Sequence, residues 1–226
     1  AQCNAEVLAG LVMTQLVSEG APFIYGAMPS IFDMKTTIGS YGAPEFHMQV
    51  AAASELAAHY RLPFYGTAGC SDAKFIDEQA IAEVTMELMS TILSRANLVH
   101  DVGVMDHCNS VSPEMVVFVD EMISGLRVYE RGIDLGDLPE ALEVIAKVGP
   151  GSHFLSEEHT LQNFKSIWYP GLLSREMKNK DTSAVREKIR DKIRHIEESH
   201  QVPSLPENLM QELSEFEKSL LRRLKA

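Results

Sequence analysis

The sequence predicts an α/β fold built from parallel βα units, of TIM-barrel type but partial, followed by a helical C-terminal extension. Three observations carry this. An apolar helix, a short break and a short apolar strand recur in that order along the first two thirds of the chain. Each strand ends in glycine or polar residues. Only four or five strands can be found in 226 residues, whereas a complete barrel needs eight and typically about 250 residues. The chain therefore reads as one piece of a barrel, with residues 1–174 as the barrel part and 175–226 as the extension.

The elements follow in chain order. The first helix covers residues 4–18, with Val7, Leu8, Leu11, Val12 and Leu16 at helical spacing. Gly20-Ala21-Pro22 stops it, and Phe23-Ile24-Tyr25-Gly26 reads as a strand. The second helix, 44–60, carries Pro44 in its first turn, where a missing N–H costs nothing. It feeds the strand Phe64-Tyr65-Gly66. The third helix, 77–94, places Ile81, Val84, Leu88 and Ile92 on one face and leads to Asn97-Leu98-Val99-His100-Asp101. The fourth, 112–130, opens with Ser112-Pro113-Glu114, an N-cap followed by proline. A short helix at 138–147 precedes Gly151-Ser152-His153-Phe154-Leu155, read as a last strand. From Met177 to Leu224 the sequence is charged, helical and weakly amphipathic, interrupted at residues 202–206. Its dense Lys, Arg and Glu positions read as a solvated face, and the extension is expected to pack on the body.

Composition narrows the function. Hydrophobic residues are 45% and charged residues 23%, which is ordinary globular usage. No uninterrupted apolar window is long enough to span a membrane. The start, without Met and in mid-helix pattern, has no basic leader and reads as a cut or processed end. Three cysteines, none spaced as CxxC, fit neither a disulfide framework nor a Cys-rich zinc module, and the chain reads as cytoplasmic. Net charge is −12, and residues 1–174 hold 8 Lys+Arg against 22 Asp+Glu. An acidic body repels phosphate backbones, so no nucleic acid is expected; it suits a cationic small molecule or a basic partner.

In a parallel α/β architecture ligands bind at the C-terminal ends of strands. That rule selects the loops 26–34, 66–74 and 100–107, and a fourth from Gly149 to His159 with His153 and His159. In the second loop, Gly66 and Gly69 allow close approach to a ligand, and Ser71 and Asp72 can orient one. Gly66-Thr67-Ala68-Gly69-Cys70-Ser71-Asp72 is neither GxGxxG nor a Walker motif, so it fits a phosphate poorly and can equally be a turn. His100-Asp101 can act as an acid/base pair or lock the barrel rim. Cys70, Cys108, His100 and His107 lie on two neighbouring loops, yet their spacing does not favour zinc. No GxSxG elbow is present. Tyr25, Phe32, Tyr41, Phe46 and Tyr65 recur near these loops, and aromatic faces bind quaternary ammonium at roughly 0.5–2 kcal/mol each. Each of them also suits core packing.

The runs NAEVLAGLVMTQLVSEGAPFIYGAMPSIFDMKT, GAPEFHMQVAAASELAAHYRLPFYGTAGCSDAK, ANLVHDVGVMD and GSHFLSEEHTLQNF resemble the trimethylamine methyltransferase (MttB-like) family. The resemblance spans nearly the whole chain and corresponds to the C-terminal half of a protein about twice as long. It implies a TIM barrel and transfer of a methyl group from a methylated amine to the Co(I) of a corrinoid on a separate small protein, with no cofactor held permanently. Members specific for trimethylamine contain pyrrolysine, which this sequence lacks; that points to the branch acting on quaternary amines such as glycine betaine. The resemblance further implies that Tyr25, Phe32 and Tyr65 line a cation pocket, while Ser71, Asp72, His100 and His107 orient a carboxylate or hydroxyl on the substrate. His100, Asp101 and His107 would be the catalytic or orienting groups. A half barrel exposes strand edges, so a complementing N-terminal half or self-association is expected. Two other readings stay open: a non-catalytic half barrel that docks a corrinoid protein or partner chain, and a zinc-dependent methyltransferase or hydrolase using Cys70, Cys108 and His107.

Overall fold

A computed structural model describes residues 1–175 and 185–224, and the chain divides into two compact units, residues 1–193 and 194–226. In the first unit α1 (Gln2–Val17) leads into β1 (Tyr25–Gly26). Next come β2 (Ile31–Asp33), β3 (Ile38–Ser40) and α2 (Pro44–Tyr60), then β4 (Phe64–Thr67) and α3 (Glu78–Leu93). They are followed by β5 (Leu98–His100), β6 (Val104–Met105), β7 (Ser110–Val111) and α4 (Pro113–Arg131). Strands β1, β4 and β5 form one parallel sheet in that order, with Tyr25 beside Phe64, Tyr65 beside Leu98 and Thr67 beside His100. The βα rhythm read from the sequence is thus present as three parallel strands, each followed by a helix.

Local chemistry sets the helix ends. Pro44 and Pro113 sit in first turns, where no intrahelical N–H is needed. Asp77 accepts the Ala80 N–H at 3.1 Å, and Ser112 Oγ accepts that of Met115 at 3.3 Å. Arg61 closes α2 in the left-handed region, its N–H bonded to the Ala57 and Ala58 carbonyls.

The structure corrects two expectations. Gly151–Leu155 is turn and bend, not a strand: Gly149 and Gly151 both take positive φ and break the extended run between α5 (Leu138–Val148) and α6 (Glu158–Asn163). The sheet therefore has three parallel strands, and the fourth expected strand-end loop follows a helix instead. Two antiparallel hairpins, β2–β3 and β6–β7, also fill loops that the sequence left irregular. Their strands are two or three residues long, too short to show alternation.

Two apolar clusters form the core, the first of them against one face of the sheet. Tyr25, Phe46, Val50, Ala53, Ala57 and Phe64 form the first, between α2 and strands β1 and β4. The second joins α3 and α4 through Val84, Leu88, Met115, Val119 and Leu126, with Ile189 of α7 (Val185–Ser199) packed in. The other face leaves Ile24, Tyr65 and Leu98 more than 40% exposed. Among the described residues β1 and β5 each have one unpaired edge. Arg190 and Lys192 of α7 pair with Glu114 and Asp120 of α4 at 2.7 and 3.2 Å. In the second unit, α8 (Glu207–Leu224) buries no residue. The first part of the expected tail helix, 177–184, lies outside the described residues.

Candidate functional site

The loops that leave β1, β4 and β5 meet at one end of the sheet, and the middle loop is the deepest. Gly66, Thr67, Ala68, Gly69, Cys70 and Ser71 are all buried. Gly69 has φ +86°, and a Cβ there would stand 3.2 Å from Val102 Cα, so only glycine suits this turn.

Two carboxylates from α3 hold the loop from below. Glu87, 1% exposed, accepts the Cys70 N–H at 3.0 Å and lies 3.2 Å from Cys70 Sγ. Glu83 accepts the Asp72 N–H at 2.9 Å and the Ser71 hydroxyl at 2.6 Å. Burial pushes the Glu87 carboxyl up to about 7, against the hydrogen bonds from Cys70 and Gly69 that favour its charged form. Burial and the neighbouring Glu87 push the Cys70 thiol far above its ordinary range, so it is no nucleophile. Because the Cys70 and Asp72 amides point at α3, the loop offers no nest for a phosphate or other oxyanion.

Asp72 ties the three loops together. Its Oδ1 accepts the Tyr41 N–H at 2.8 Å, and its Oδ2 accepts the Gly42 N–H at 3.1 Å and the Ser40 hydroxyl. From the third loop, His107 Nδ1 lies 3.1 Å from Asp72 Oδ1 and 3.2 Å from the Gly39 carbonyl. Tyr41 Oη is 2.8 Å from Cys108 Sγ, and burial raises the Tyr41 pKa. His100 is held on both sides: Nδ1 is 2.8 Å from Asp101 Oδ1 and Nε2 is 3.1 Å from Thr67 Oγ1. Its ring stands 4.6 Å from that of Tyr65, which is 41% exposed on the open face.

The structure sorts the residues singled out from the sequence. Tyr65, His100 and Asp101 come together at the strand ends, His107 sits against Asp72 and Gly39, and Phe32 stands 59% exposed on the β2–β3 hairpin. Tyr25 does not join them. It is 1% exposed on the helix-covered face, packed on Tyr60 and Phe64 with its hydroxyl bonded to Asn4. Ser71 and Asp72 have internal partners for their polar atoms, so they shape the mouth from behind. His100 and Asp101 are arranged as a rim lock, since both ring nitrogens are engaged within the protein. His153 is exposed, and His159 pairs with Asp137 at 2.7 Å, away from these loops in the chain.

Cys70, Cys108 and His107 do not converge as a metal site: among the described residues no three His, Cys, Asp or Glu side chains are grouped to hold an ion. His47 is 5% exposed beside Phe46, and neither ring nitrogen has a partner of hydrogen-bond geometry. Burial lowers its pKa; the Gly42 carbonyl opposes this but falls short of a hydrogen bond. Among the described residues no helix is long and apolar enough to cross a membrane.

Sequence reasoning missed Glu83 and Glu87. A signal existed for Glu87: it falls on the buried stripe Ala80, Val84, Leu88 and Thr91 of α3, where a carboxylate needs a polar partner. No local pattern marks Ser40, Gly39 or Thr67, whose partners lie 32, 68 and 33 residues away.

The sequence matches the family described as trimethylamine methyltransferase (MTTB) over residues 1–222. It is 37% identical over 172 residues to a glycine betaine methyltransferase of Desulfitobacterium hafniense, an alignment covering 76% of this chain and 36% of that protein. It is 33% identical over 217 residues to the trimethylamine methyltransferase MttB of Methanosarcina barkeri, covering 93% of this chain and 43% of the relative. With the MttB of Desulfitobacterium hafniense it shares 34% over 175 residues, 77% of this chain and 35% of that one. The chain thus spans less than half the length of these curated relatives.

Proposed function

This chain belongs to the trimethylamine methyltransferase family, and from that membership we propose that it forms part of an enzyme moving a methyl group from a methylated amine to a corrinoid protein. The match over residues 1–222, which includes all three strand-end loops, carries this reading. The substrate we favour is a quaternary amine such as glycine betaine, in keeping with the relative of that name.

The mouth suits such chemistry. Displacement of a tertiary amine from a quaternary nitrogen needs neither acid nor base, only placement and exclusion of water. The histidines and acids at the strand ends are bonded to one another, while Tyr65 and Phe32 present aromatic faces for an N-methylated cation. A corrinoid presented by its carrier protein would supply the Co(I) nucleophile. Once protonated, His107 would donate to the carboxylate of a betaine. The unpaired edges of β1 and β5, with Ile24 and Leu98 on the open face, favour completion of a TIM barrel by an N-terminal half. The same open face also favours a second reading, a half barrel that only docks a partner.

The test follows the visible spectrum of cob(I)alamin as this chain and glycine betaine, other betaines or trimethylamine are added. Conversion to methyl-Co(III) with one substrate supports the enzyme reading and names the substrate. Conversion only after the N-terminal half of a relative is supplied supports a split barrel. No conversion in either case overturns the enzyme in favour of the docking module.

A further inference from the structure

We infer that Asp72 is the positioning residue of the mouth: one carboxylate both pins the β2–β3 hairpin and fixes the tautomer of His107. It rests on the functional reading only in taking these loops as the working end of the molecule.

The geometry carries it. Asp72 leaves the loop after β4, and its side chain is only 10% exposed. Its two oxygens take three donors from the end of the hairpin, Ser40 Oγ and the Tyr41 and Gly42 amides, and face His107 from the third loop. A single side chain therefore crosslinks three successive strand-end loops. The His107 ring meets two pure acceptors on one nitrogen, Asp72 Oδ1 and the Gly39 carbonyl, so Nδ1 is the nitrogen that carries the proton. Nε2 is thereby left with its lone pair, an acceptor. The backbone agrees: Asp106, His107 and Cys108 hold φ of 50°, 52° and 68°, three consecutive non-glycine residues in the left-handed region. Such a run costs free energy and persists only where surrounding contacts hold it. The Asp72–His107 pair and the Tyr41–Cys108 contact are among those contacts, with the Asp106 N–H on the Ala73 carbonyl at 3.0 Å. Glu83, bonded to the Asp72 amide, fixes the backbone from which the carboxylate projects.

Two readouts independent of activity test this, on the intact chain: amide hydrogen exchange at Tyr41 and Gly42, and the tautomer of His107 from ring 15N and 13C shifts. In the wild type His107 is Nδ1–H. In Asp72→Ala the exchange of both amides speeds at least tenfold, and His107 moves toward Nε2–H because the loosened hairpin withdraws the Gly39 carbonyl together with the lost carboxylate. Asp72→Asn separates the two jobs and serves if the alanine variant does not fold. With its carbonyl at the Oδ1 position, the asparagine keeps the Tyr41 amide and the Nδ1–H tautomer. Its NH2 then opposes the Gly42 N–H, so exchange speeds at Gly42 alone, while the Ser40 hydroxyl can turn to accept. Unchanged exchange and tautomer in Asp72→Ala, or an Nε2–H His107 in the wild type, overturns the inference. Methyl transfer from glycine betaine by the same proteins is a separate arm. Its absence in the wild type, both alone and with the N-terminal half of a relative supplied, counts against the functional reading and leaves the tautomer result to decide the role of Asp72.

Discussion

The loop after β4 and the hairpin after β1 stand side by side at the strand ends, yet they are built in opposite ways. From Gly66 to Ser71 the loop is buried, and its amides and hydroxyl are answered by Glu83 and Glu87. The hairpin turns Phe32, Met34 and Ile38 outward, 59%, 83% and 42% exposed, and is fastened chiefly at its end through Asp72. The buried loop is a fixed floor whose polar groups are already satisfied. The hairpin is the surface left over for something else to touch. Apolar groups at a mouth are informative where they are exposed, whereas the glycine-rich loop that first draws attention in the sequence works mainly as scaffold.

This contrast predicts a steep gradient of mutational effects. The largest loss comes at the strand beneath the floor. Phe64 is 1% exposed in the core of β4, and Phe64→Ala should cost about 3–5 kcal/mol, read as a shift of the urea midpoint at unchanged slope. A loss under about 1 kcal/mol would mean the floor is not anchored there.

Next comes the pH dependence of Glu87. Its folded pKa, about 7, lies above the ordinary 4.5, so the folded state binds its proton more tightly. The resulting stabilisation is full below about pH 4.5 and fades as pH rises through 7, a change of roughly 3 kcal/mol. Glu87→Gln lacks this slope and should gain on the wild type between pH 5 and pH 8 in denaturant titrations. Parallel curves would show that Glu87 is not the buried acid described.

Ser71→Ala removes the donor to Glu83 and the acceptor for the Ala73 amide, and about 1–2 kcal/mol should be lost. Equal stability at pH 7 would break the idea that α3 carboxylates tension the loop. The smallest stability effect belongs to the hairpin. Phe32→Ala should stay within about 0.5 kcal/mol of the wild type, while weakening an N-methylated cation by a factor of about 2–30, measured calorimetrically. A destabilised variant with unaltered binding would reverse the contrast between the two loops.

The α/β character and five helix positions were legible because they rest on local signals. Pro44, Pro113, Ser112 and the apolar stripe of α3 each act within a turn or two of chain. The rule that ligands meet strand ends also singled out the loops after β4 and β5, where His100 is held by Asp101 and Thr67 and His107 by Asp72. Side-chain roles were less legible. Tyr25 was expected to line a cation pocket, but strand alternation turns it to the helix side, beside Phe64. In a two-residue strand no sequence pattern fixes that alternation. Gly151–Leu155 looked like a strand from its apolar end, yet the positive φ of Gly149 and Gly151 decided otherwise.

By itself, then, the sequence determined the βα rhythm, the helix caps, the acidic body and the family to which the chain belongs. Only the tertiary structure decided which polar groups answer one another. Asp72 meets Tyr41 from 31 residues away and His107 meets Gly39 from 68. Propensity and periodicity act over a few residues, but a buried carboxylate takes whichever donors the packed loops bring within 3 Å.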